Sequence, residues 1–201
     1  MKSSSLRLLD CTLRDGGYYN SWDFSSDLID QYIEAMVEVG VDIVEMGFRS
    51  LNNNGFKGAS AFATDEFLES LNIPKNLMVG IMVNGSELVD SDCLESALSK
   101  LFPNSSDKSP VKLVRIACHA NEFCTALPAS LWLKKRGFLV GFNVMQIADC
   151  SERELKEIVS SSLKYPLDVL YFADSMGSMK PDDVSRIIEH LRSGWTGDIG
   201  I

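Results

Sequence analysis

An arginine and an aspartate stand side by side where an apolar run gives way to two glycines, in Leu8-Leu9-Asp10-Cys11-Thr12-Leu13-Arg14-Asp15-Gly16-Gly17. Leu8 and Leu9 read as a short buried strand, and the glycines as the turn that leaves it. Charges at such a place are costly to desolvate without partners. Two arrangements meet that cost: a structural ion pair, or a carboxylate that binds a metal beside a guanidinium that binds an anionic oxygen. Asp15 is an oxygen donor suited to Mg2+ or Mn2+. The fork of Arg14 can hold a carboxylate or a developing enolate oxygen. Glu45 lies inside the apolar run Ile43-Val44-Glu45-Met46, where burial alone is unfavourable. Pairing with Arg14 would remove that cost and orient the guanidinium.

Further polar residues recur where other apolar runs end: Arg49, Asn84, His119 and Glu122, then Asn143, Gln146 and Asp149, then Asp174 and Ser175. In a parallel barrel the catalytic groups come from the C-terminal ends of the strands and the loops after them. Such a fold would gather this set on one face. His119, after Val114-Arg115-Ile116-Ala117, reads equally as a packed histidine and as a catalyst. His190, ahead of Gly194, reads as a cation at a helix C-terminus.

The elements that must position these groups alternate along the chain. Strands are expected at Arg7–Leu13, Val41–Phe48, Leu77–Val83, Val111–Ala117, Phe138–Ile147, Val169–Ala173 and Asp198–Ile201, each short and rich in Val, Ile, Leu, Phe or Met, as in strands buried on both faces. Ile29, Ile33, Met36 and Val37 recur at helical spacing, with Ser25 or Ser26 as cap and Gly40 past the end. Ser151 and Glu154 form a capping-box pattern before Leu155, Ile158 and Val159. Pro181 suits the first turn of a helix carrying Val184, Ile187, Ile188 and Leu191. Asn52-Asn53-Asn54-Gly55-Phe56-Lys57-Gly58 reads as a turn-rich loop, and Pro103–Pro110 as a polar, mobile connection.

This alternation predicts an α/β fold, a parallel (β/α)8 TIM barrel with six strand–helix units and the start of a seventh strand. A complete barrel takes about 250 residues, so a chain of 201 is expected to form one domain, 1–201, stopping before its last strands. A doubly wound sheet is the alternative, although no G-x-G-x-x-G follows the first strand.

A net charge of −9 argues against nucleic acid or an anionic membrane as the main partner. No apolar stretch approaches the roughly 20 residues that span a bilayer, and Met1-Lys2-Ser3-Ser4-Ser5 carries no signal-type core. Five cysteines, Cys11, Cys93, Cys118, Cys124 and Cys150, form no C-x-x-C pair. They are expected to be reduced thiols in a cytoplasmic protein rather than zinc ligands.

Asp10-Cys11-Thr12-Leu13-Arg14-Asp15-Gly16 resembles the D-x-T-L-R-D-G signature of the pyruvate-carboxylase-like and HMG-CoA-lyase-like metal-dependent barrels, and within them the 4-hydroxy-2-oxovalerate aldolases. Ile43-Val44-Glu45-Met46-Gly47-Phe48, Val114-Arg115-Ile116-Ala117-Cys118-His119, Val140-Gly141-Phe142-Asn143 and Phe172-Ala173-Asp174-Ser175-Met176-Gly177 follow in the family's order. The resemblance implies carbon–carbon lyase or condensation chemistry on a small 2-oxo acid, with pyruvate and an aldehyde released through an enolate. Asp15 would be a metal ligand for Mn2+ or Mg2+, Arg14 the enolate stabiliser and Glu45 its partner. Asn143, Asp174 and Ser175 are expected to contact substrate with Arg14. An acyl-aldehyde dehydrogenase partner is also implied, and strand edges left open by the missing last strands are expected to favour self-association into a homo-oligomer.

Two departures stand out. The aldolase motif continues Arg-Asp-Gly-x-His, whereas Tyr18 stands at the position of that catalytic base. A phenol with a pKa near 10 is a poor base at neutral pH, so Tyr18 is expected to donate a hydrogen bond, with Tyr19 or His119 open as proton acceptor. The family's H-x-H metal ligands would follow Gly197-Asp198-Ile199-Gly200-Ile201, where the sequence stops. The expectation is a piece of a longer enzyme, weakly active or inactive alone, that binds metal weakly. Two other functions stay open: a Claisen-type acyl-CoA condensing enzyme of the isopropylmalate synthase kind, and a non-catalytic barrel fragment serving as a binding module.

Overall fold

The computed structural model describes residues 6–201 except Asn53, Asp90 and Asp92. Met1–Ser5 and the Asn53 part of the expected loop therefore lie outside the described residues. The first half holds β1 (Leu9–Asp10), α1 (Thr12–Gly16), α2 (Ser26–Glu38), β2 (Ile43–Phe48), α3 (Asp65–Glu69), β3 (Met78–Asn84), α4 (Gly85–Val89) and α5 (Leu94–Leu101). Then come β4 (Val111–Cys118), α6 (Ala120–Ala126), α7 (Ala129–Lys135), β5 (Leu139–Met145), α8 (Glu152–Ser162), β6 (Val169–Ala173), α9 (Pro181–Arg192) and β7 (Asp198–Gly200).

The strands follow sequence order in the sheet, β1 through β7. Pairing is parallel at β1–β2, β2–β3, β5–β6 and β6–β7. A doubly wound sheet reverses strand order at a switch point, and no reversal occurs here. The fold is an incomplete (β/α)8 barrel, with seven strands of the eight that closure needs. The chain divides into two compact units, residues 1–82 with 104–113, and residues 83–103 with 114–201.

In the first unit β2 is buried at all six positions, as a strand covered on both faces should be. Ile29 and Ile33 bury the inner face of α2, and the Ser25 hydroxyl caps it by accepting the Leu28 N–H at 3.3 Å. Met36 is half-buried and Val37 exposed, so the apolar stripe is narrower than the spacing predicts. Asp42 O accepts the Met78 N–H at 3.0 Å, where the β2–β3 ladder begins.

The first strand departs most from expectation. Extended pairing covers only Leu9–Asp10, and Leu8 is half exposed. One oxygen of Asp10 accepts the Thr12 N–H at 2.9 Å and the other its hydroxyl at 3.2 Å. Such local bonds compete with a strand and favour a helix start. Gly16 and Gly17 have right-handed helical dihedrals rather than those of a turn. Arg14 and Asp15 thus ride on a one-turn helix behind the strand. Tyr32, on α2, donates to Asp10 at 2.7 Å.

The expected mobile connection at Pro103–Pro110 is pinned instead. Asn104 and Ser109 donate to the Asp65 carboxylate at 2.8 and 2.6 Å. Lys112 Nζ donates to the Ser109 carbonyl at 2.8 Å and to that of Ser106. A Ser- and Asn-rich loop reads as mobile only until a buried carboxylate claims its donors.

In the second unit the α8 capping box forms as predicted, with Ser151 N–H donating to Glu154 at 2.8 Å and Glu154 N–H to the Ser151 hydroxyl at 3.3 Å. Leu155, Ile158 and Val159 are its buried face. Pro181 opens α9, whose buried residues are Ile187 and Leu191. His190 Nδ1 lies 2.9 Å from the Arg186 carbonyl, inside the last turns of that helix. All five cysteines are free thiols. Among the described residues no helix is long and apolar enough to cross a membrane.

Candidate active site

In the first unit the site grows from one buried charge. Glu45 sits in mid-β2 with no exposed surface, and Arg14 Nε donates to its Oε1 at 2.7 Å. Arg14 Nη1 donates to Asp15 Oδ1 at 2.8 Å. Nη2 has no partner among the described residues. Burial alone would lower the Arg14 pKa. The Glu45 carboxylate, by charge and by hydrogen bond, more than offsets this, so the guanidinium is held above its ordinary value. Its cationic form is secure at any working pH.

An aromatic cluster borders the guanidinium. Phe48, at the end of β2, has its ring centroid 5.8 Å from Arg14 Cζ. Trp22 stands edge-on to Phe48 at 5.6 Å and to Tyr18 at 4.8 Å, and Tyr18 and Phe48 are 6.1 Å apart. Tyr18 keeps 63% of its surface exposed. The structure therefore brings Arg14, Asp15, Glu45 and Tyr18 into one neighbourhood. Trp22 and Phe48 carry no sequence signal of a site, because aromatics flanking a loop look like ordinary core residues.

Arg49, expected beside this group, turns elsewhere. It is buried, donates to the Ala63 carbonyl at 3.1 Å and forms an ion pair with Asp65. Burial would raise the Asp65 pKa, but hydrogen bonds from Ser109, Asn104 and Arg49 hold it below the ordinary carboxylate range.

In the second unit Asn143 is buried in β5 and accepts from Arg115 Nη2 at 3.3 Å. Arg115 lies in β4 with its Cζ 4.2 Å from the Tyr171 ring centroid, a cation–π stack. A Cβ on Gly141 would fall 2.6 Å from that ring, so glycine there makes room for the tyrosine. Arg115 carries the same sequence signal as Glu45, a charge inside an apolar run.

His119 is exposed and stands at the N-terminus of α6, where its own N–H donates to Glu122 at 2.9 Å. Glu122 therefore caps a helix. Asn84 Nδ2 lies 3.4 Å from Glu87. Asp174 is exposed, and its two oxygens accept the N–H groups of Ser178 and Met179 at 2.9 and 3.0 Å. Those backbone donors hold it below the usual carboxylate range and fold the loop after β6. Ser175 is exposed in the same loop. Gln146 closes β5 in the left-handed region, with φ 53°.

A divalent cation needs several oxygen or nitrogen donors. Among the described residues no group of three or more His, Cys, Asp or Glu side chains could hold one. One oxygen of Asp15 is already bonded to Arg14. The described residues do not form a chelating set for a metal.

No family model matches the chain. It is 28% identical over 192 residues to a 4-hydroxy-2-oxovalerate aldolase from Pelotomaculum thermopropionicum, covering 93% of this chain and 53% of that protein. The N-terminal domain of a candidate aldolase from Bacteroides vulgatus superposes with a TM-score of 0.79 at 31% identity, over 97% of this chain and 63% of that one. The hydroxymethylglutaryl-CoA lyase of Pseudomonas aeruginosa superposes with a TM-score of 0.70 at 13% identity, over 95% and 65%, and shares the fold. The chain spans about half the length of the curated relatives it matches. In sequence the chain is similar to 4-hydroxy-2-oxovalerate aldolases, and it shares its TIM-barrel fold with a hydroxymethylglutaryl-CoA lyase.

Proposed function

We propose that this chain is an aldolase-type lyase domain that cleaves a 4-hydroxy-2-oxo acid to pyruvate and an aldehyde. The observation that carries the reading is the Arg14 guanidinium held by buried Glu45, with Nη2 unpartnered among the described residues. Retro-aldol cleavage leaves negative charge on the pyruvyl oxygen as the carbon–carbon bond breaks. A fixed cation aimed at that oxygen stabilises the transition state more than the ground state. Glu45 fixes the guanidinium, so little reorganisation accompanies the reaction.

Tyr18 is proposed as a hydrogen-bond donor in this neighbourhood, and His119 as the candidate proton acceptor for the 4-hydroxyl. Asn143 and Ser175 are proposed to contact substrate; Asp174 acts through the loop it folds. Asp15 offers one remaining oxygen, enough for a single bond to Mg2+ or Mn2+.

Two assays on one preparation test this: pyruvate release from 4-hydroxy-2-oxovalerate, and free-thiol release from acetyl-CoA with a 2-oxo acid. Pyruvate release that is lost in Arg14→Ala supports the lyase. Thiol release without pyruvate replaces it with a Claisen-type condensing enzyme.

A further inference from the structure

We propose that Trp22 is a positioning residue for Arg14 and Tyr18, an inference that rests on the role given to Arg14 above. Its indole Nε1–H donates to the Arg14 backbone carbonyl at 2.8 Å. This bond ties the free side of α1 to the loop that follows it. The same ring stands edge-on to Tyr18 and Phe48, so a single side chain fixes the backbone of the guanidinium and the ring of the phenol.

Three features show that the loop is built around this indole. A Cβ on Gly17 would lie 1.9 Å from Trp22 Cδ1, so only glycine admits the ring against the end of α1. Ser21 and Trp22 both hold left-handed dihedrals, φ 59° and 58°, which is uncommon for any residue with a side chain and a genuine outlier for a bulky one. Consecutive residues in such a region persist only where their surroundings over-determine them. Those surroundings are present. Trp22 N–H donates to the Gly17 carbonyl at 2.9 Å, and Gly58 N–H to the Ser21 carbonyl at 2.8 Å. A Cβ on Gly58 would fall 2.1 Å from the Trp22 carbonyl oxygen.

This arrangement also explains the second glycine of Arg14-Asp15-Gly16-Gly17. Gly16 has open space where a Cβ would go, whereas Gly17 does not. The tryptophan and Gly17 act as a pair, and disturbing either should shift the guanidinium relative to Glu45.

The test compares Trp22→Phe, Gly17→Ala and the double variant. Three readouts are followed: melting temperature, the proton–nitrogen NMR signal and solvent exchange of Arg14 Nε–H, and the kinetics of pyruvate release. Each single variant should speed Arg14 Nε–H exchange and lower kcat about tenfold with KM within about twofold, as for a misplaced transition-state contact. The double variant should be no worse than the poorer single, because the two changes break one unit. If one variant fails to fold, the other decides. Unchanged Arg14 Nε–H exchange in a folded variant overturns the proposal. The exchange measurement reports on Trp22 whether or not the chain releases pyruvate, so failure of this proposal and failure of the lyase reading are distinguishable.

Discussion

Arg14 Nε meets Glu45 Oε1 at 2.7 Å, and the glutamate is wholly withdrawn from solvent while 14% of the arginine side chain is exposed. The pair joins the one-turn helix behind β1 to the middle of β2. Removing one partner of a buried pair leaves the other charge uncompensated. Glu45→Gln should therefore cost about 3 kcal/mol in denaturant unfolding, with a further loss of activity because the guanidinium is released. A cost below about 1 kcal/mol would equate the pair with an ordinary surface bridge.

Asp65 gives the stability of the first unit a dependence on acid. Its carboxyl is held below the ordinary range by Ser109, Asn104 and Arg49. A depressed folded-state pKa adds stability above the unfolded-state value, near 3.9, and that contribution is lost as pH falls through the folded-state value. Unfolding free energy should drop steeply below about pH 4, and Asp65→Asn should flatten that limb while lowering stability at pH 7. A wild-type acid limb retained in Asp65→Asn would assign the dependence to other carboxylates.

Glycine substitutions should split by the space around each residue. Gly16 is helical with nothing within 4 Å of an added Cβ, so Gly16→Ala should raise stability by about 0.5 kcal/mol. A Cβ on Gly47 would sit 1.8 Å from the Ser60 carbonyl oxygen, at the register shift between Glu45 and Phe48. Gly47→Ala should cost about 3 kcal/mol, the upper end for overpacking. Thermal melts of the two variants moving in the same direction would contradict this.

Metal affinity follows from the donor count. With Asp15 as a single carboxylate, Mn2+ titrated into this chain should bind with a dissociation constant of about 10⁻³ M or weaker, and Asp15→Asn should abolish that binding. Micromolar affinity in calorimetry would require a ligand set that the described residues do not form.

Much of this was legible in the sequence because its signals are local or energetically forced. The Ser151–Glu154 box and Pro181 at a helix start depend on neighbours within one turn. Glu45 inside an apolar strand had to find a cation, and Arg14 was the natural one. The same reasoning applies to Arg115, whose partners Asn143 and Tyr171 sit on β5 and β6, too far along the chain for spacing to connect. The strand expected at Arg7–Leu13 shrinks to Leu9–Asp10 because Asp10 draws the backbone of Thr12 into a helix, a competition that hydrophobic pattern does not register. The Trp22 loop escaped notice because left-handed dihedrals at Ser21 and Trp22 have no composition cue.

Oxalate, a planar dianion shaped like the pyruvate enolate, addresses the oxyanion role of Arg14 without requiring turnover. In calorimetric titrations wild-type chain should bind oxalate saturably. Binding should weaken at least about tenfold in Arg14→Ala and be partly retained in Arg14→Lys, which keeps the charge but not the fork. Equal affinity in wild type and Arg14→Ala would contradict the enolate site at the Arg14–Glu45 pair.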